Sequence, residues 1–184
     1  MNLATKKKGE EDHPNLFEEA LKKVPPEQLK EAQKRVDDLL KGDLSWTELF
    51  ALPPDKLKQM GEVGYGQFKA GRYESAEKIF KGLTVLDPEN YYYHQILGAT
   101  YQRQGKFPEA VLEYSVAVDL NPQDLVSMTN RGESYMKLGL HPLAVKDLER
   151  VIEMDNSGQD KWANRARLLK EQMKLMGDKK PKKV

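Results

Sequence analysis

The residues that usually carry acid–base, metal or nucleophilic chemistry are few and scattered in this sequence. The 184-residue chain contains His13, His94 and His141 but no cysteine. None of the histidines has a second metal-binding residue at the short spacing of a HExxH-type site. The glycines between Gly64 and Gly71 lack the Gly-Lys-Ser/Thr ending of a phosphate-binding loop and do not follow a strand. We therefore predict no enzyme, no metal site and no cofactor.

A second group of residues is suited to holding a polypeptide. Aromatic and methionine side chains supply contact area, while amide and charged side chains can pair with the backbone of an extended peptide. Leaving such a backbone group buried and unpaired would cost about 1–3 kcal/mol. We predict a peptide-binding groove lined by Tyr65, Phe68, Lys69, Tyr92, Gln95, Ala99, Gln102, Arg103, Thr129, Glu133 and Met136.

These residues lie at corresponding positions of an internal repeat. Windows 57–90, 91–124 and 125–158 align without insertions, and their period of 34 residues and their small-residue and aromatic pattern are typical of tetratricopeptide repeats. Prolines end the first two windows at Pro88 and Pro122, whereas Asn156 stands at that place in the third. Glycine recurs at repeat positions 8 and 15, at Gly64, Gly98, Gly132, Gly71, Gly105 and Gly139.

Each window predicts a helix A, a tight turn and a helix B. Glycine inside a helix costs about 1 kcal/mol relative to alanine, so its return at position 8 predicts a close approach of two helices. We expect Gly98 to face Ala110 of helix B. Positions 2, 5, 9, 12 and 13 of helix A then face the groove, which adds Lys58, Gly61, Val126 and Lys137 to its edges.

The flanking segments predict further helices around the repeats. Residues 1–14 read as disordered, and residues 15–56 as an N-terminal helical arm with helices over 15–24 and 26–41. The arm ends in a short helix whose Trp46, Leu49, Phe50 and Leu52 are expected to cover the first repeat. Residues 159–176 predict a C-terminal capping helix that contains Trp162, and 177–184 a disordered basic tail. The predicted fold is all-α: three helix-turn-helix repeats in a right-handed superhelix, with this arm and capping helix.

Charge and hydropathy disfavour nucleic acid and membrane as partners. Charged residues make up 32% of the chain and the mean hydropathy is −0.75, with no apolar run of about 18 residues. The lysine runs near each end lack interleaved aromatic residues and are interpreted as solvated tails. The N-terminus has no apolar segment of the kind found in secretory signals, so we expect no secretory signal and no stable membrane insertion.

Residues 26 to 170 resemble the class II chaperones of bacterial type III secretion. The resemblance rests on the lead-in segment from Leu39 to Leu57, on Tyr65 and Phe68, on the segment Leu97 to Gln102, and on the segment Gly132 to Tyr135. It implies a cytoplasmic, non-enzymatic chaperone whose groove holds an extended N-terminal segment of a translocator, with a Pro/Val-x-Leu-x-x-Pro-like motif, before export. It also implies dimerisation through the N-terminal helices.

The alternative is a general tetratricopeptide scaffold or adaptor. Co-chaperones of this repeat class that clamp a C-terminal carboxylate use lysine and asparagine on the first helix A, where this chain has Gly61 and Tyr65. That subtype is therefore disfavoured.

Overall fold

The computed structural model describes residues 24–155 and 157–177, and every regular element in those ranges is an α-helix. The chain divides into two compact units, the first ending at Ser45 and the second beginning at Trp46. The helices are α1 Pro26–Lys41, α2 Trp46–Leu49, α3 Pro54–Lys69, α4 Tyr73–Leu86, α5 Tyr91–Arg103, α6 Phe107–Leu120, α7 Leu125–Lys137, α8 His141–Met154 and α9 Lys161–Gly177.

Helix α1 is the regular element described in the first unit. Pro26 occupies its first position, where the fixed φ of proline suits a helix and no amide donor is lost. Gly42 ends it with a left-handed φ of 82°, as predicted. No residue of α1 is buried. The predicted disordered segment 1–14, the predicted helix over 15–24 except its last residue, and the predicted tail beyond Gly177 lie outside the described residues.

Helices α3 to α8 form three consecutive pairs, each a helix A followed by a helix B. The turns inside the pairs use Gly71, Gly105 and Gly139 at φ values of 74°, 76° and 73°. Side chains other than glycine rarely adopt this left-handed conformation. The predicted helix-turn-helix repeat is confirmed, and the glycine at position 15 allows each chain reversal.

The glycines at position 8 lie where helix A meets helix B. A Cβ atom on Gly98 would lie 2.9 Å from the ring of Tyr114, which is too close for a real side chain. Gly64 meets Phe80 and Gly132 meets Leu148 in the same way. The prediction of a close approach is confirmed, but the nearest atoms to Gly98 belong to Tyr114 and not to Ala110. A ring reaches back across the helix pair, whereas the methyl group of alanine does not.

The second unit contains two buried hydrophobic clusters. The first joins the first two repeats around Phe80, Leu97 and Tyr114, and the second joins the third repeat to α9 around Met128 and Leu148. Helix α9 contributes Ala163, Ala166 and Leu169 to the second cluster, and it therefore covers the end of the third repeat as predicted.

At the opposite end of the repeats, one of the expected cap residues packs against the core, while two others remain largely exposed. Leu52 packs against the first cluster. Trp46 and Phe50 stack on each other with ring centroids 6.1 Å apart, and they remain 38% and 58% exposed. The two large rings, which we expected to cover the first repeat, therefore leave much of their own surface in solvent.

Candidate peptide-binding groove

A cleft of about 680 Å³ runs along the three A helices, α3, α5 and α7, and is closed at one end by α9. Eight of the predicted binding residues line it: Tyr65, Phe68, Tyr92, Gln95, Ala99, Gln102, Arg103 and Glu133. Because they come from successive A helices at related repeat positions, the predicted groove stripe exists as a continuous surface over most of its length.

The end of the cleft near the first repeat is aromatic. Tyr65 and Phe68 lie one helical turn apart on α3 and stack with centroids 6.2 Å apart and ring planes 18° apart. Tyr92 packs edge-on against Tyr93 with centroids 6.3 Å apart. Tyr65 and Tyr92 are 39% and 37% exposed, so both rings offer surface to a ligand. Burial raises the pKa of Tyr92, and its hydroxyl is therefore a neutral hydrogen-bond donor at physiological pH.

A polar network crosses the middle of the cleft. The Tyr114 hydroxyl donates to Gln102 Oε1 at 2.9 Å, and Gln102 Nε2 donates to Glu133 Oε2 at 3.0 Å. Arg165 on α9 donates to the same Glu133 oxygen at 2.7 Å. Burial raises the pKa of Tyr114, which keeps its hydroxyl protonated as the first donor. The network holds Gln102 in one orientation and uses one of its two amide N–H groups and one of its two oxygen lone pairs.

Position 5 of the repeat lies in the seam between successive repeats. Gln95 is 9% exposed and donates to Asp124 Oδ2 at 2.6 Å, although it still borders the cleft. A Cβ atom on Gly61 would lie 3.2 Å from the ring of Tyr93. Thr129 is fully buried and donates to the carbonyl of Leu125 at 2.7 Å, so its assignment to the groove is wrong. In the third repeat the neighbouring position 6, Asn130, borders the cleft instead.

Two other predicted residues also lie outside the cleft lining. Met136 packs against the second hydrophobic cluster, which uses its thioether chain as core filling. Lys69 holds its ammonium group 5.9 Å from the centroid of the Tyr65 ring, at the outer edge of the aromatic end. Met136 is therefore corrected to a packing residue, and Lys69 to a neighbour of the groove that contacts it through Tyr65.

Several residues that border the cleft were not predicted. The largest is Trp162, which was expected only to cap the repeats and which lines the cleft together with Lys161 and Arg165 of α9. The Lys161 ammonium lies 5.8 Å from the Trp162 ring centroid. Their spacing on one face of a helix is the signal that could have indicated a binding role. The remaining additions are Ile96, Phe107 and Asn130.

The described residues offer little for other kinds of chemistry. Among them no group of three or more histidine, aspartate and glutamate side chains could hold a metal ion. His94 has a structural explanation, because its ring nitrogens lie 2.8 Å from a Glu113 oxygen and 3.0 Å from the carbonyl oxygen of Pro88. Over the same described ranges, none of the helices combines the length and the hydropathy that a membrane span requires.

Sequence comparisons place the chain among proteins with this repeat. Residues 126–157 match the tetratricopeptide repeat model. The chain is 33% identical to Hsp70-Hsp90 organizing protein 3 of Arabidopsis thaliana over 104 residues, which are 56% of this chain and 17% of that protein. It is also 33% identical to low calcium response locus protein H of Yersinia pestis over 85 residues, 46% of this chain. The alignment spans about half, 51%, of that second relative.

Solved structures resemble a larger part of the chain. A type III secretion system complex from Aeromonas hydrophila aligns with a TM-score of 0.71 at 25% identity, covering 79% of this chain and 98% of that one. PcrH bound to the chaperone binding region of PopB aligns with a TM-score of 0.61 at 26% identity, and the alignment covers 64% of this chain and 97% of PcrH. The first repeat domain of Spaghetti (RPAP3), bound to the HSP90 peptide SRMEEVD, aligns with a TM-score of 0.59 at 27% identity. The alignment covers 66% of this chain and 96% of that domain.

The fold is therefore that of an all-α tetratricopeptide-repeat protein. Within that class, the chain resembles the type III secretion translocator chaperones over most of its length, in agreement with the resemblance noted from the sequence.

Proposed function

We propose that this protein is a cytoplasmic, non-enzymatic chaperone that holds an extended segment of a type III secretion translocator in the cleft along its A helices. The observation that carries the proposal is the exposed aromatic end of that cleft. Tyr65 and Tyr92 come from different repeats and face the same space, each more than one-third exposed. Exposed aromatic rings in a concave site indicate a binding surface, because nothing in the hydrophobic core requires them.

The partner class is supported by the solved neighbours. One of them, PcrH, holds the chaperone binding region of PopB, and it covers 64% of this chain at 26% identity. The groove here has the features that an extended peptide needs: apolar anchors at one end and the oriented amide of Gln102 in the middle. We propose the same class of ligand for this chain, a translocator segment with alternating apolar anchors.

A general scaffold that binds other peptides is the second candidate. The match to an Hsp70-Hsp90 organizing protein and the likeness to a repeat domain that binds SRMEEVD favour it. In this chain Gly61 and Tyr65 stand at the first-helix positions that would hold a carboxylate clamp. This difference favours the translocator segment.

Two adjacent tyrosines provide a matched test. Tyr91 and Tyr92 are 39% and 37% exposed, but only Tyr92 lines the cleft. The chain is co-expressed with the N-terminal fragment of a translocator from the same genome, and the complex is purified and titrated. We expect Tyr65→Ala/Tyr92→Ala to weaken binding by about 30-fold or more, since buried aromatic anchors dominate such interfaces. Tyr91→Ala should bind as the wild type does.

Equal capture by the wild type and the double variant would contradict the groove proposal, and so would equal losses in Tyr91→Ala and the double variant. The peptide SRMEEVD serves as the second ligand. Binding of that peptide without binding of the translocator fragment would favour the scaffold.

A homodimer through the N-terminal helices stays a prediction, which sedimentation velocity would check.

A further inference from the structure

The end of the cleft next to α9 is strongly cationic. Four basic side chains, Arg103, Lys137, Lys161 and Arg165, line it together with a single carboxylate, Glu133. The whole chain is nearly balanced, with 30 basic and 29 acidic residues. The excess of positive charge in the cleft is therefore a local feature of this surface and not a consequence of composition.

Only part of that charge is neutralised within the protein. Arg165 pairs with Glu133 at 2.7 Å. Arg103 and Lys137 are exposed, and neither makes an ion pair with any residue in the described ranges. Lys161 lies against the Trp162 ring. Asp160, the carboxylate next to Lys161 in sequence, accepts backbone N–H groups of Trp162 and Ala163 at the start of α9.

Helix stability explains only half of the cluster. Arg103 and Lys137 lie in the last turns of α5 and α7, where a cation interacts favourably with the helix dipole. Arg165, on α9, is accounted for by its ion pair with Glu133. Lys161 lies in the first turn of α9, where a cation is unfavourable, and neither the helix dipole nor an ion pair with the described residues accounts for it. A ligand of opposite charge would interact favourably with Lys161 and with the exposed Arg103 and Lys137.

The two ends of the groove differ in charge as well as in shape. A smaller cleft continues from Tyr65 and Tyr92 past the first repeat, and its ionisable lining is Lys58 with the two carboxylates Glu62 and Asp87. With Lys69 beside the Tyr65 ring, the first-repeat end is thus aromatic and close to neutral, whereas the α9 end is cationic. A segment that matches both ends is apolar where it meets the tyrosines and acidic where it meets α9.

We infer that the α9 end of the groove binds a short run of aspartate or glutamate side chains that flanks the apolar part of the bound segment. This inference rests on the proposed function and specifies the chemistry of its ligand. The cations come from three different helices, α5, α7 and α9, so they are suited to more than one carboxylate. That distribution favours acidic side chains over a single C-terminal carboxylate.

The test uses synthetic peptides, acetylated and amidated, that contain a Val-x-Leu-x-x-Pro core. In the first pair, the residues before the core are Glu-Asp-Glu in one peptide and the isosteric Gln-Asn-Gln in the other. In the second pair, the same two sequences follow the core. Fluorescence anisotropy gives the affinities. In one of the two pairs we expect the acidic peptide to bind about 3- to 10-fold tighter, given two or three solvent-exposed ion pairs. The difference should shrink between about 50 mM and about 500 mM salt, as screening increases.

Variants then locate the effect. Arg103→Gln/Lys137→Gln should remove most of the preference for the acidic peptide, measured in that variant as the ratio of its affinities for the acidic and neutral peptides. The control Lys78→Gln/Lys146→Gln removes the same charge from exposed positions on α4 and α8, outside the cleft lining, and should leave the preference intact.

The two proposals fail in different ways. Equal affinity for the acidic and neutral peptides in both pairs would overturn the inference alone. Failure of all four peptides to bind would contradict the proposed function as well. The last peptide is a neutral peptide with a free C-terminal carboxylate. If it binds more tightly than its amidated form while the acidic peptides show no gain over the neutral ones, a terminal carboxylate is the ligand and the inference about side chains is wrong.

Discussion

Two neighbouring positions on each A helix show opposite behaviour across the repeats. Position 8 is glycine in all three, and each glycine packs against the large side chain of its helix B, namely Phe80, Tyr114 or Leu148. Position 9 is Tyr65, Ala99 and Glu133, and all three line the cleft. A rotation of about 100° separates these positions, so one faces the helix pair and the other the groove. The interior side chains repeat because the helix-pair geometry repeats, whereas the side chains that line the cleft differ from one repeat to the next.

The largest expected effect is on the interior. Phe80→Ala empties a site that is fully buried between α3 and α4, and we expect it to lower the free energy of unfolding by about 3–5 kcal/mol. The matched control is Phe50→Ala, which removes a ring that is 58% exposed and should change stability by about 0.5 kcal/mol or less. Urea denaturation measures both. Similar losses in the two variants would show that burial does not separate these rings.

A smaller effect separates the two positions directly. Gly98→Val places branched methyl groups against the Tyr114 ring, where a Cβ atom would already lie 2.9 Å away, and it should cost about 1–3 kcal/mol. Ala99→Val adds the same branched shape to the cleft lining. It should cost at most about 0.7 kcal/mol of helix propensity.

The binding assay reverses that order. Ala99→Val narrows the groove and should weaken capture of the translocator fragment more than Gly98→Val does, measured below the unfolding transition of both variants. Equal stability losses, or weaker binding by Gly98→Val alone, would contradict the division between the two positions.

The smallest expected effect lies outside the groove. Glu77 accepts hydrogen bonds from Lys81 at 2.7 Å and from Lys106 at 2.9 Å, and the second contact joins the first repeat to the second. The Lys81 hydrogen bond, with a contribution from Lys106, lowers the pKa of Glu77 from 4.5 to about 2. Because the folded-state pKa is lower, the ionised carboxylate stabilises the fold above pH 4.5 and loses this contribution as the pH falls towards 2.

We therefore expect Glu77→Gln to be less stable than the wild type at neutral pH, with the difference shrinking below pH 4.5. Urea denaturation at several pH values measures it. Glu74→Gln on the same helix removes an exposed carboxylate that makes no ion pair with the described residues. At neutral pH it should lose only the interaction of a first-turn carboxylate with the helix dipole, about 0.3–1 kcal/mol. A Glu77→Gln difference that grows in acid would show that the sign is wrong.

Much of the fold could be predicted from local spacing. The left-handed glycines at the turns, the helix over 26–41 and the capping role of α9 follow from signals within a few residues of each element. The groove was predictable for the side chains that share one face of an A helix, because the helical period determines that face. That reasoning failed at position 5 of the third repeat, where Thr129 is fully buried. The helical stripe gives no information on the angle at which the next helix pair packs.

The sequence by itself determined the repeat, the close helix pairs and the three different side chains at position 9, since each depends on the helical period and on residue size. Only the tertiary structure decided that Trp162 and Arg165 complete the groove, and that Gln102, Glu133 and Arg165 form one network. These contacts join residues about thirty positions apart on separate helices. Helical periodicity orders the side chains of one helix, whereas the packing of successive helix pairs decides which of those side chains meet.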